Sequence, residues 1–208
     1  MKKLLLILLC LPILVFSQNK DEQVAVRYSV KYKLPLMKKM LKKTLPDSYM
    51  AYYSENAYRV DFTSSFSMLG MKIKIEGLQV ENYTELKSLT IARMQAEKDK
   101  QAKDTTDYTL EDIFVDTTSK ITYTEEEKII LGYKCIGFIV ENEQAKIKGF
   151  LNAKYSAIGA IIDGRDYGVP MYLEEYNKKE KITEFISVES IQIEPLVKSY
   201  YTTTIDAK

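Results

Sequence analysis

The chain has 208 residues, of which 46% are hydrophobic, and a formal net charge of +1. This near balance argues against nucleic acid as a partner, because nucleic-acid-binding surfaces are strongly basic. The sequence contains no histidine, which excludes Ser-His-Asp triads, Cys-His pairs and imidazole metal ligands. The eight glycines lack the spacing of a P-loop or a dinucleotide-binding turn. We therefore predict a protein that is not an enzyme and that has no catalytic residues, metal or cofactor.

The first seventeen residues are typical of a secretory signal peptide. Lys2 and Lys3 precede an apolar run from Leu4 to Phe16, and the small residue Ser17 follows this run. We predict cleavage after Ser17, which removes both lysines and lowers the net charge from +1 to −1. The protein is then expected in the periplasm or outside the cell. The apolar run is shorter than the about 20 residues that a membrane-spanning helix needs.

Lipid attachment at Cys10 is not expected. A lipoprotein signal has a small residue before the modified cysteine, whereas Leu9 stands there. Removal of the signal leaves Cys135 as the only thiol, so no intramolecular disulfide is possible, and we interpret Cys135 as an ordinary buried residue. Residues 18–208 are predicted to form a single domain and a monomer, since no proline- or glycine-rich linker divides them.

Residues Val24 to Leu34 alternate between apolar and polar side chains, which predicts a β-strand with one buried face. Tyrosine, threonine and isoleucine recur in short runs elsewhere, as in half-buried strands. We expect eight to ten strands and a mainly β fold, namely a curved antiparallel sheet or open half-barrel. The other predicted strands cover residues 48–53, 58–62, 71–75, 83–94, 120–124, 135–141, 146–155, 171–176 and 181–193.

In the final predicted strand, the apolar residues change from even-numbered to odd-numbered positions. Ile186 and Val188 share one parity, whereas Ile191 and Ile193 share the other. A single face can bury all four only if one extra residue is inserted, which predicts a β-bulge between Val188 and Ile191. A tight turn through residues 177–179 is expected to join the last two long strands.

The segment between Pro35 and Pro46 has the periodicity of an amphipathic helix. At about 100° per residue, its apolar side chains fall on one side and four lysines on the other. Three roles fit this pattern: a lid over an apolar cavity, a contact with an anionic membrane, or a helix that covers one end of the sheet. The apolar set is Leu36, Met37, Met40, Leu41 and Leu45, and the lysines are Lys38, Lys39, Lys42 and Lys43.

Two charged regions are interpreted as solvated rather than functional. Residues 95–107 are almost wholly polar and are expected to form a mobile loop, and the aspartates at 104, 107, 112 and 116 lack the spacing of a calcium loop. Adjacent carboxylates occur at Glu174 with Glu175 and in the run 125–127. Because neighbouring residues of a strand point to opposite faces, neither group forms a facing pair by itself.

The buried faces of the predicted strands suggest a ligand cavity. Aromatic and aliphatic side chains there could hold a lipid or acyl chain, but the same pattern fits a fully packed core. With a packed core, the protein would be a structural or interaction module that binds another envelope protein. The hypothetical cavity lining is Tyr28, Tyr32, Val60, Phe62, Ile73, Phe138 and Phe150.

Several short motifs resemble those of a known family. The stretch Lys128 to Cys135, preceded by Tyr58 to Phe62 and followed by Gly168 to Pro170 and the closing strand, resembles the DUF4412 family of exported bacterial proteins, placed near the LolA/LolB-like lipoprotein carriers. This resemblance implies an open half-barrel with a helix across its concave side and an apolar cavity for acyl chains. Phe150 stands where that family commonly has tryptophan. The same Gly-Tyr-Lys-Cys stretch is also similar to GLPGLI-type proteins of the Bacteroidetes.

Overall fold

The computed structural model describes residues 21–98, 101–113, 119–161 and 164–204. Eleven strands and two short 3-10 helices, η1 and η2, lie in this part of the chain. The signal peptide, its cleavage site and Cys10 lie outside it, so those predictions are untested. The strands are β1 (Glu22–Lys33), β2 (Ser48–Tyr53), β3 (Ala57–Met68), β4 (Met71–Asn82), β5 (Lys87–Lys98), β6 (Gln101–Asp112), β7 (Ile121–Ile130), β8 (Tyr133–Glu141), β9 (Ala145–Asn152), β10 (Val169–Asn177) and β11 (Ile182–Pro195), with η1 at Leu36–Lys43 and η2 at Lys198–Tyr201.

All eleven strands belong to one sheet, in the order β6-β5-β4-β3-β2-β1-β11-β10-β9-β8-β7. Strands that are consecutive in the chain pair with each other, except β6 and β7, which form the two edges. The strands alternate in direction, so β6 and β7 have the same direction and a hairpin cannot join them. The chain between them spans roughly 30 Å at most, whereas eleven flat strands would be about 48 Å wide. The sheet is therefore curved but not closed, which confirms the predicted fold class.

The alternation predicted for β1 is confirmed. Val24, Val26, Tyr28 and Val30 are all buried on one face of this central strand, which we call the core face. Removing these side chains from water is the main force that holds the sheet in its curved form. The cluster that contains them is Val24, Val26, Tyr28, Val30, Ala51, Tyr53, Cys135, Phe138, Val140, Leu151, Ala157, Val169, Met171, Leu173, Ile186 and Val188.

The β-bulge predicted in β11 is present. Tyr28 pairs with Val188 whereas Arg27 pairs with Ser190, so Glu189 is the extra residue. Because one residue is inserted, the two isoleucines that follow lie opposite core-face residues of β1. The predicted turn at residues 177–179 also joins β10 to β11, and its register pairs Asn177 with Ile182.

The predicted loop at residues 95–107 is wrong, because this segment forms parts of β5 and β6. The two strands pair along their full length from Lys87 opposite Asp112 to Lys98 opposite Gln101. Backbone hydrogen bonds do not require apolar side chains, and a charged edge strand protects a sheet from pairing with other chains. Asp104, Asp107 and Asp112 therefore lie on an edge strand, while residue 116 is outside the described part of the chain.

The predicted helix between Pro35 and Pro46 is present as η1, but it is a 3-10 helix. With three residues per turn, Met37 and Met40 stack in one row, and the five apolar residues do not share one face. None of its residues is buried. Within the described ranges, no helix is long and apolar enough to cross a bilayer.

The C-terminal segment packs on the face opposite the core face. Tyr201 donates a hydrogen bond from its hydroxyl to the side-chain oxygen of Gln23 at 3.1 Å, and Arg59 lies 4.4 Å above the ring of Tyr200. A second cluster of buried residues, Ala57, Val80 and Tyr201, forms beneath this segment. Strands β1 to β4 are therefore covered on this face at the end of the sheet that lies away from η1.

Candidate functional site

Most of the predicted cavity residues belong to a packed core. Tyr28 and Phe138 are fully buried, and three others, Tyr32, Val60 and Phe150, are half-buried against the same cluster. The other two predicted residues, Phe62 and Ile73, line surface depressions. The core face is thus built from the expected side chains, and their role in holding a ligand stays a prediction.

Two adjacent depressions lie where η1 approaches β3, and together we call them the β3 groove. The first has a volume of about 520 Å³ and is lined by Ser65, Phe66, Ser67, Lys72, Ile73, Lys74, Gln95, Ala96, Glu97, Ala102 and Asp104. The second has a volume of about 430 Å³ and is lined by Lys42, Lys43, Leu45, Asp47 and residues 63–67. Both are lined by Ser65, Phe66 and Ser67, so they lie next to each other along β3.

The strand register explains why a groove forms here. Ser67, Lys72, Glu97 and Ala102 form one row across β3, β4, β5 and β6. The next row is Ser65, Lys74, Gln95 and Asp104. Both rows lie on the face opposite the core face, and the short side chains of β3 stand beside the longer ones of β4 and β5. This difference in side-chain length leaves space above β3.

The side chains that line the groove are polar and charged. Phe66 and Ile73, which are cross-strand partners in its first part, direct their side chains to the core face, while Lys72, Lys74, Glu97 and Asp104 lie on the groove side. Lys74 is held by Glu76, with 2.5 Å between its ammonium nitrogen and the carboxylate oxygen; this hydrogen bond and charge lower the pKa of Glu76. Among the residues that the structure describes, Lys42, Lys43 and Lys72 form no ion pair. Three lysines are therefore available to an anionic group.

The predicted lid residues have different positions relative to this groove. Leu45 lines it, whereas Leu36, Met37 and Met40 are 79%, 95% and 89% exposed, and Leu41 is about half exposed. An ion pair between Lys38 and Glu180 connects η1 to the β10–β11 turn. The segment is thus fixed at this end of the sheet with most of its apolar side chains in solvent, and its role as a lid stays a prediction.

A facing pair of carboxyl groups, which the sequence reasoning missed, lies on the core face. Glu175 and Glu184 are directly opposite each other on β10 and β11, and Tyr32 is opposite Glu184 on β1. Burial raises the pKa of both carboxyls, and the charge of Glu175 raises that of Glu184 further. Neither carboxylate has an ion-pair partner within the described ranges, whereas Glu174 on the other face pairs with Lys148 at 3.0 Å.

A signal for this pair was available in the sequence. The turn at residues 177–179 sets Asn177 opposite Ile182, and counting back along both strands places Glu175 opposite Glu184. Glu174 and Glu175, as neighbours on one strand, point to opposite faces of the sheet. The facing partner of Glu175 is Glu184, on the next strand. A raised pKa means that each carboxyl of the pair keeps its proton to a higher pH than an ordinary glutamate does.

The buried tyrosines and the cysteine are structural rather than reactive. The hydroxyl oxygens of Tyr28 and Tyr53 lie 3.3 Å apart, and burial raises the pKa of both phenols, so they stay protonated. The thiol of Cys135 lies 3.3 Å from the carbonyl oxygen of Tyr133. Burial raises the pKa of this thiol, which disfavours the nucleophilic thiolate.

Comparison with known proteins does not place the chain in a family. No family model and no curated protein sequence matches it. Two crystal forms of PNGF-II are similar in structure: the C2 form has 9% identity and a TM-score of 0.49 over 86% of this chain and 29% of that chain. The P21 form has 10% identity and a TM-score of 0.43 over 86% of this chain and 30% of that chain. The chain therefore spans less than a third of the length of these relatives.

A third structure is a Vibrio parahaemolyticus domain described as an outer membrane lipoprotein-sorting protein. It has 7% identity and a TM-score of 0.24 over 89% of this chain and 91% of that chain. No family model supports DUF4412 or GLPGLI membership. All three TM-scores are below 0.5, so these similarities carry no argument about function.

Proposed function

We propose that this protein is a non-enzymatic, exported protein that binds a lipid-like amphiphile in the β3 groove. The observation that carries the proposal is a groove of small-molecule size beside β3, lined by lysines that have no ion-pair partner among the described residues. Each part of the groove lies in the range of about 300–1,000 Å³ that is usual for small-molecule sites. An anionic head complements these lysines, and an apolar chain can contact Leu45 and the aliphatic stems of the lysines.

The head and the chain of such a ligand have separate places in the groove. Lys72 and the hydroxyls of Ser65 and Ser67 supply donors for a carboxylate or phosphate. The chain lies along β3 towards Leu45, which lines the part of the groove beside η1. We place the ligand here rather than in the predicted core-face cavity, because the core-face side chains pack against one another.

The position of the shifted carboxyl groups supports a binding role. Glu175 and Glu184 are the candidates for acid-base chemistry, but they are on the core face, whereas the rows that form the groove are on the other face. A ligand in the groove is therefore separated from them by the sheet. With the predicted signal peptide, this arrangement suits a carrier-like protein of the periplasm.

The test is a titration of delipidated protein, residues 18–208, with a fluorescent fatty acid below its critical micelle concentration. We expect saturable binding that Ser65→Phe abolishes by filling the groove, and that Lys72→Gln weakens by roughly tenfold, as for loss of one charged contact. The matched control is Lys198→Gln, which removes the same charge from an exposed lysine at the other end of the sheet. Absence of saturable binding, or equal losses in Lys72→Gln and Lys198→Gln, would overturn the proposal.

The second candidate function is an interaction module of the envelope that holds no ligand. It is favoured by the packing of five predicted cavity residues into or against the main cluster. Cross-linking in native cells distinguishes the two: a specific envelope partner, together with a protein that takes up no fatty acid, supports this alternative.

A further inference from the structure

A second surface, at the same end of the sheet as the groove, is both apolar and basic. It consists of η1 and the β3–β4 turn, and we call it the η1 surface. Strand β1 ends where η1 begins, and β3 has the same direction as β1, so the β3–β4 turn lies at the same end of the sheet as η1. Lys42, Lys43 and residues 63–67 line one depression, so η1 lies near the last part of β3, which leads into this turn.

The apolar side chains of the η1 surface have no packing role in the chain. Met37 and Met40 form one row of the 3-10 helix and are the most exposed of its apolar residues. Leu69, in the adjacent turn, is 85% exposed. Single exposed apolar residues are common on protein surfaces, but here several large ones project from adjoining segments at one end of the sheet.

The backbone conformation of Leu69 is unfavourable for a leucine. Its φ of 51° lies in the left-handed region, where asparagine or glycine is preferred in a two-residue hairpin turn. A leucine there has a conformational penalty and, being exposed, no compensating burial. Leu131 of the β7–β8 turn has the same conformation, with a φ of 50°, but lies at the opposite end of the sheet and away from η1.

The charge of the η1 surface identifies what it complements. Helix η1 contains Lys38, Lys39, Lys42 and Lys43 and no acidic residue. Only Lys38 has an ion-pair partner within the described ranges, and that partner is Glu180. Long basic side chains next to exposed methionine and leucine are the composition of segments that lie in the interface of anionic bilayers.

We propose that the η1 surface docks the protein onto bilayers that contain anionic phospholipid. Met37, Met40 and Leu69 enter the boundary between headgroups and acyl chains, and the lysines contact phosphates. This inference goes beyond ligand binding in the β3 groove and does not depend on it. It also gives η1 the membrane role that its sequence pattern left open.

The primary test uses co-sedimentation with vesicles of phosphatidylcholine alone and of phosphatidylcholine with phosphatidylglycerol in equal parts. We expect binding to the anionic vesicles only, and a decrease of roughly fivefold when Lys39→Gln removes one interfacial charge. Met37→Ser with Met40→Ser should weaken binding by at least about tenfold, because both side chains lose their transfer from water. Equal binding to neutral vesicles, or none to anionic ones, would contradict the proposal.

Two matched pairs of variants separate insertion from general effects on the fold. Leu69→Asn and Leu131→Asn relieve the same backbone conformation, but only Leu69→Asn should weaken vesicle binding. The chain has no tryptophan, so Met37→Trp and Leu131→Trp each introduce a single reporter. On anionic vesicles we expect a blue shift of the tryptophan fluorescence emission for Met37→Trp and none for Leu131→Trp. Equal emission shifts in the two tryptophan variants, or equal vesicle binding by the two asparagine variants, would refute the inference.

Sedimentation of the protein without vesicles tests whether a second copy of the chain, rather than a membrane, covers the η1 surface. We expect a monomer whose state does not change in Met37→Ser with Met40→Ser. A dimer that this double variant dissociates would mean that the η1 surface is a contact between copies, and would overturn membrane docking. Fatty-acid binding is measured with different residues and a monomeric probe, so either proposal can fail without the other.

Discussion

Strands β1, β2 and β8 to β11 carry a continuous cluster of buried side chains, whereas β3 to β6 carry serine, threonine and charged residues along much of their length. The first region excludes water by side-chain packing. The second keeps its pairing through backbone hydrogen bonds and leaves the β3 groove on its surface. The comparison indicates that stability is concentrated in one region of the sheet, while the other region contains the groove in which we propose that a ligand binds.

The largest expected effect is on stability in the packed region. Phe138→Ala should lower the free energy of unfolding by about 3–5 kcal/mol, because it leaves a cavity in the core. Phe66→Ala, near the end of β3, should cost only about 1 kcal/mol, since its ring is only partly buried and lies outside the main cluster. Urea unfolding of both variants measures the difference. Equal losses would show that the two regions are equally packed.

A smaller effect is expected from the Glu175 and Glu184 pair. Burial raises the pKa of both carboxyls in the folded state, so folding favours their protonated forms. The stability that they contribute is present below the ordinary glutamate pKa of 4.5 and is lost as the pH rises through the raised values. Stability should therefore fall as the pH increases from about 4.5 towards neutrality.

Charge-neutral variants sharpen this prediction. Glu175→Gln should stabilise the protein near neutral pH by up to about 1 kcal/mol and partly flatten the pH profile, because it removes one buried charge and its repulsion of Glu184. The matched control is Glu174→Gln, which faces away from the core and is paired with Lys148. Thermal unfolding across the pH range measures both, and a gain of stability in Glu174→Gln alone would contradict the assignment.

The packed region could be predicted from local patterns. The alternation of apolar and polar residues in β1, and the shift of that alternation by one residue in β11, each identified the correct core face. This is possible because burial of one face of a strand requires apolar residues at every second position. The turn at residues 177–179 also followed from its residue types. These features depend on residues that are close together in the chain.

The second region could not be predicted in the same way. The pairing of β5 with β6 depends on backbone groups, and its polar side chains resemble those of a loop. Helix η1 was recognised from its periodicity, but its 3-10 geometry and exposed methionines depend on how the chain connects β1 to β2. The groove is formed by rows across four strands, and a single strand such as Thr63 to Ser67 does not reveal which residues will stand beside it.

The most direct test of the central claim is a comparison of two-dimensional 1H–15N NMR spectra of the protein with and without a saturating fatty acid. The account predicts that the backbone amides of Ser65, Ser67, Lys72 and Gln95 change their chemical shifts, while those of Tyr28 and Phe138 stay in place. Large changes at Tyr28 and Phe138, with none along β3, would place the ligand inside the core face and contradict the division between a packed region and a binding groove.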